Sequence, residues 1–270
     1  MCIRDRFLPA YGRQAFKVDG KFKFWGGAHI EATGGGPGLI QSLMSAAKSN
    51  KIEVLFGTPA NALITEGNQV KGVVCHTLGK TQNLFAKTVI LACGGFEANS
   101  EWRTRCLGPG WDLAKVRGTR FNMGDGIKMA LDIGAMPYGN WSGAHSVGWD
   151  RNAPEFGDLT VGDNFQKHSY PFGIIVNANG QRFVDEGADF RNYTYARYGR
   201  IVLEQPGQFA WQVFDAKVTH LLRDEYRIQQ VTKVEAKTLE ELTNKLEDVD
   251  AQGFLNTVNE FNSSVATDLP

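Results

Sequence analysis

The chain has 270 residues, 42% of them hydrophobic and 21% charged, with 29 basic against 29 acidic side chains. That length and apolar content suffice for a buried core in one large or two ordinary domains and exclude a disordered chain, while a formal charge of zero excludes a one-signed field drawing the whole molecule to nucleic acid or an anionic membrane. The cysteines, Cys2, Cys75, Cys93 and Cys106, make no CxxC pair and have no histidine at ligand spacing, so neither a metal site nor a disulfide framework is expected.

The opening Met1–Arg6 has no periodic pattern and resembles the adapter read-through found at the start of metagenome-derived reading frames, so it is left out of the fold reading. Thr33–Gly38 is a glycine loop that feeds a helix over Leu39–Lys48, where apolar residues recur at helical spacing. Ile52–Phe56, Ala62–Thr65, Val70–His76 and Leu84–Cys93 are predicted strands, rich in β-branched residues and punctuated by turns such as Gly67–Asn68. The last of them closes on Gly94-Gly95-Phe96, the paired glycines a sheet needs where a phosphate or sugar approaches the strand ends. A second glycine loop, Asn122–Gly126, leads into a predicted helix over Ile127–Ala135. From about Trp141 aromatics, Asp and Gly dominate through Gly162; strands are next expected at Gly173–Asn177 and Trp211–Asp215. The remainder reads as helical, with a possible capping box of Thr238 and Glu241, and Asp268–Pro270 follows with nothing to close the last helix. Both ends therefore look cut.

Each glycine cluster alone is matched by an ordinary tight turn, since none fits GxGxxG or a Walker loop. Their order within one α/β pattern favours a ligand contact at the last two. His145 and His168 sit in polar stretches where a surface histidine is the ordinary reading, and His29, His76 and His220 are explained by exposure or packing. Arg182 and Arg191 flank Asp185, Glu186 and Asp189, for which ion pairing is the default account.

Three phrases in order carry more: Val89–Phe96 (VILACGGF), Gly124–Ala130 (GDGIKMA) and Ile175–Glu186 (IVNANGQRFVDE). They resemble the successive signatures of FAD-binding proteins of the fumarate reductase and succinate dehydrogenase type, and Gly139–His145 and Asp189–Ala196 resemble the tricarballylate dehydrogenases among them. The resemblance runs from about Phe7 to the end, the middle of a longer protein. It implies an α/β fold with an α+β cap: residues 7–140 as a partial Rossmann-like FAD-binding domain and 141–270 as a capping domain that closes over substrate. It further implies FAD as cofactor, with Ala60 as a backbone contact to the adenine, Gly94 and Gly95 near the FAD, and Gly124, Asp125 and Gly126 toward its flavin end. His145 takes the place of the family's substrate histidine, and Arg191 that of the arginine that exchanges a proton with substrate.

An arginine has an ordinary pKa above about 12, so acid–base work demands burial among tuning charges, and its fork also suits a carboxylate. The chain departs from the fumarate reductases at their proton relay, a Thr-Glu pair followed by Arg. The aligned stretch reads Phe165-Gln166-Lys167-His168-Ser169, and the spacing between Arg182 and Arg191 is one residue longer. Gln166, Lys167 and His168 thus become candidates for binding substrate, Lys167 or His168 through a third carboxylate. The expected reaction is oxidation of a CH–CH bond in a tricarballylate-like polycarboxylate, with fumarate or a ketosteroid as alternative substrates. A truncated product that holds no FAD is the non-enzymatic alternative. The expected partners are that small substrate and an electron acceptor; with no apolar run approaching ~18 residues and no signal-peptide pattern, a cytoplasmic protein is expected, peripheral to a membrane only through its acceptor.

Overall fold

The computed structural model describes residues 7–11, 15–24 and 29–265, so Met1–Arg6 and Asp268–Pro270 lie outside the described residues. The chain divides into two compact units, residues 1–59 with 75–82, and residues 60–74 with 83–270.

In the first unit β1 (Phe7–Pro9) pairs antiparallel with β4 (Ile30–Ala32). β2 (Ala15–Val18) and β3 (Lys21–Phe24) form a hairpin over Asp19-Gly20, both left-handed, as a two-residue turn between twisted strands requires. Helix α1 (Gly35–Ser49) confirms the predicted helix after the glycine loop. It buries no residue, and Leu39, Ile40 and Leu43 stand exposed. Ile52–Phe56, predicted as a strand, is irregular: no strand among the described residues offers it a ladder, and propensity without a partner does not make a strand.

The strands β5 (Ala60–Glu66), β6 (Gln69–Thr77) and β7 (Lys80–Phe85) are adjacent in that order. The predicted strand ending at Cys93 stops at Phe85, and Thr88–Cys93 runs without ladder bonds for the same reason as Ile52–Phe56. In the second unit α2 (Ser100–Leu107), absent from the sequence reading, starts where Asn99 Oδ1 accepts the Trp102 N–H at 3.1 Å. Helix α3 (Asp125–Asp132) follows the second glycine loop as predicted.

The second unit's main core forms around the antiparallel pair β8 (Ile174–Val176) and β9 (Trp211–Val213). Alternation along β8 sends Ile174 and Val176 to one side, against Leu246 and against Phe254 and Val258 of the C-terminal helix, and Ile175 to the other, against Tyr170 and Tyr198. Tyr198 lies on α4 (Arg191–Leu203); α5 (Leu239–Thr243) and α6 (Ala251–Ser264) complete the set. Thr238 caps α5, its Oγ1 accepting the Glu241 N–H at 3.2 Å, while the Glu241 carboxylate reaches back to the Lys237 N–H rather than that of Thr238.

Candidate active site

The two glycine segments meet. The Gly124 N–H donates to the Gly95 carbonyl at 3.0 Å and the Ala98 N–H to the Asn122 carbonyl at 3.0 Å. Gly124 (φ 89°) and Gly126 are buried because this junction is tight: a Cβ on Gly124 would stand 3.0 Å from the Trp102 ring, and one on Gly126 2.9 Å from Cys93 Cβ. Their residue type therefore serves the chain's own packing first. Gly94 (φ 76°) and Asp125 remain exposed, and Gly94 and Gly126 border a cleft of about 300 Å³ lined also by Leu91, Cys93, Tyr138 and Trp141. Ala60 begins β5, which packs beside α3. A bare glycine backbone walled by apolar and aromatic groups fits the body of a dinucleotide cofactor.

The polar candidates assemble around a residue the sequence reading passed over. Tyr195 stands one turn beyond Arg191 on α4, and three candidate groups converge on its phenol. His145 Nε2 shares a hydrogen bond of 2.7 Å with the hydroxyl, the His168 ring lies 4.7 Å from the phenol ring centre, and the Arg191 guanidinium lies 5.8 Å from it. The His145 loop is laid on α4 by Ser146, whose Oγ donates to the Ala196 carbonyl at 2.8 Å, and by Gly199, where a Cβ would meet the Ser146 backbone at 2.5 Å.

His168 is held from both sides. The Ser169 N–H donates to the Tyr226 hydroxyl at 2.8 Å, that hydroxyl donates to Gln212 Oε1 at 2.6 Å, and Gln212 Nε2 donates to the Lys167 carbonyl at 3.1 Å. Burial, then the charges of Arg191 and Arg223, push the His168 imidazole down to about 3, so it is neutral at physiological pH. Burial and then the Arg223 charge also pull the Arg191 guanidinium below its ordinary value. Among the described residues no carboxylate forms an ion pair with Arg191. The pairing expected of both arginines is met only by Arg182, bound to the buried carboxylate of Glu186, which also accepts the Ile175 N–H.

Lys167 and Gln166 do not join this group. The Lys167 ammonium lies 3.3 Å from the buried carboxylate of Asp150, and burial pulls it down despite that partner. Asp150 is pushed up by burial, but hydrogen bonds from Thr232 and Asn152 and the charge of Lys167 outweigh that and hold it low. Gln166 is buried, bridged through its backbone to Trp149. Tyr195 was detectable at i+4 from Arg191 had a helix been read there; Arg223 had no local signal.

An apolar cleft bordered by glycine backbone, beside a cluster of two imidazoles and a guanidinium that has no ion pair among the described residues, defines the class: a cofactor-binding protein of mixed helices and strands. The chain belongs to the FAD binding domain family, whose model matches residues 20–270, and FAD is its cofactor. It is 29% identical over 267 residues to the protein named "Probable fumarate reductase Ifc3" of Shewanella frigidimarina, covering 90% of this chain and 40% of that one. The solved 3-ketosteroid delta1-dehydrogenase of Sterolibacterium denitrificans is 28% identical, with a TM-score of 0.61 over 82% of this chain and 42% of its own. The open conformation of a flavocytochrome c3 fumarate reductase shares the fold, with a TM-score of 0.66 at 24% identity over 94% of this chain and 43% of its own. The chain thus spans about two fifths of the length of these relatives. The mixed helix-and-strand fold expected from the sequence is borne out.

Proposed function

We propose that the protein to which this chain corresponds is an FAD-dependent oxidoreductase that desaturates a CH–CH bond of a small polycarboxylate of the tricarballylate type. The observation that carries the reading is the meeting of His145, His168 and Arg191 on Tyr195, with no ion pair to Arg191 among the described residues. FAD, when bound, supplies the acceptor for a hydride, and Gly94, Gly95 and Asp125 are the residues that would lie along it. Arg191 takes the proton from the neighbouring carbon; its burial and the nearby Arg223 both favour the deprotonated form that a base requires. His145, exposed and steered by Tyr195, holds a substrate carboxylate. A ketosteroid, the substrate class of the similar Sterolibacterium denitrificans enzyme, calls for apolar walls, which a cluster of two imidazoles and a guanidinium does not supply.

Replacing Arg191 with Ala in the FAD-loaded protein is expected to lower kcat with tricarballylate by about 10²- to 10⁴-fold, the usual contribution of a positioned acid or base. Turnover unchanged in Arg191→Ala overturns the assignment.

A further inference from the structure

The sequence left Lys167 and His168 as equal candidates for an additional carboxylate; their surroundings separate them. Lys167 is engaged by Asp150. His168 is 6% exposed, yet its Nε2 has no hydrogen-bond partner among the described residues. Buried polar nitrogens are almost always paired, so an orphan marks a place where a partner arrives from elsewhere.

The neighbours define that partner chemically. The Arg191 guanidinium has no ion pair among the described residues. Arg223 is fixed beside His168 through its N–H, which donates to Ser169 Oγ at 3.0 Å, and through Nε, which is bound to the buried Glu225 at 2.8 Å. Guanidinium groups only donate, and a neutral imidazole protonated at Nε2 donates there as well. An unpartnered Nε2–H beside a guanidinium that has no ion pair among the described residues suits an anionic oxygen. A water satisfies the imidazole but brings no negative charge to the arginines whose charges act on it.

We propose that His168, with Arg191 and Arg223 beside it, is an inner carboxylate-binding position separate from His145, and that it selects a tricarboxylate over a dicarboxylate. The inference rests on the polycarboxylate reading above and adds the group that sets the carboxylate count. His145 and His168 lie against the same phenol, with ring centres 5.1 Å and 4.7 Å from that of Tyr195, and the proposal requires one short branched molecule to reach both. Because His168 is neutral, it contributes a directed hydrogen bond while Arg223 contributes charge, Arg191 being the group that must shed its proton to act as base.

The test is titration calorimetry of the full chain with tricarballylate and with succinate, for the wild type, His168→Leu and His168→Gln. A charge-assisted hydrogen bond lost at His168→Leu is expected to weaken tricarballylate by about tenfold or more, with succinate changing less than about twofold. His168→Gln, which keeps an N–H donor, is expected to fall between. Nitrogen NMR of the labelled histidines provides the second readout in the wild type: the His168 Nε2 resonance shifts with tricarballylate. An unmoved resonance, or equal losses for both ligands in His168→Leu, overturns this position. Tight succinate binding with an inert His168 removes the inner position and leaves the reading of the site standing, whereas a wild-type chain that binds neither acid removes both.

Discussion

Tyr195 is the residue on which the site turns, because its hydroxyl and ring lie beside three groups drawn from separate stretches of sequence. Tyr195→Phe keeps the ring and removes the bond to His145. A net loss of about 1 kcal/mol is expected, read as a roughly fivefold rise in KM with the melting temperature held; an unchanged KM would show that His145 needs no steering. His168 makes a second prediction, about pH. The unfolded chain protonates this imidazole near its ordinary 6.5, whereas the folded site refuses the proton until about 3. The unfolded state therefore binds more protons within that window, so stability is fully present above 6.5 and falls as the pH drops toward 3, by at most about 1.4 kcal/mol per pH unit. Thermal melts across the window are expected to show a shallower decline in His168→Leu than in the wild type; parallel declines would mean that the imidazole titrates normally. Legibility at this scale was uneven. Residue type and resemblance pointed to His145, His168 and Arg191, but the claims on Lys167 and Tyr195 depended on which partner each side chain found, and Asp150 and Tyr195 lie too far from theirs in sequence, or on too unexpected a helix, for spacing to reveal it.

At the scale of elements, glycine loops followed by amphipathic runs gave α1 and α3, since both the loop and the apolar period are local signals. The extended segments at Ile52–Phe56 and Thr88–Cys93 were not legible as irregular, because a strand is defined by a neighbour and not by its own residues. Helix α4 was missed because Arg191–Leu203 mixes aromatics and arginines with little apolar period, and its stability comes from Tyr198 in the core and Gly199 against the His145 loop. The junction between Gly126 and Cys93 predicts that Gly126→Ala costs about 1–3 kcal/mol, since the new methyl group meets carbon at 2.9 Å. A chemical denaturation midpoint equal to wild type would show that the junction yields without cost. Asp150 links Lys167 to the segment at Thr232, accepting the Thr232 N–H at 2.9 Å. Asp150→Ala strands a buried ammonium and is expected to lose about 3 kcal/mol or more, part of which Lys167→Met restores in the double variant. Additive losses in the two variants would deny the coupling.

For the whole molecule, family membership and FAD follow from the match over residues 20–270, while the substrate rests on the polar cluster of the second unit. The apolar side chains of Leu39, Ile40 and Leu43, and of Ile52, Leu55 and Phe56, are exposed in a chain that spans about two fifths of its relatives' length. Such surface predicts self-association of the chain expressed by itself, measurable by gel filtration; a single monomeric peak at high concentration would contradict it. The central claim concerns chemistry at Arg191 and His145, and anaerobic mixing of the FAD-loaded protein with tricarballylate addresses it most directly. The account predicts bleaching of the oxidised flavin absorbance as substrate is desaturated, abolished in Arg191→Ala. Flavin that stays oxidised with tricarballylate but bleaches with a 3-ketosteroid would contradict it.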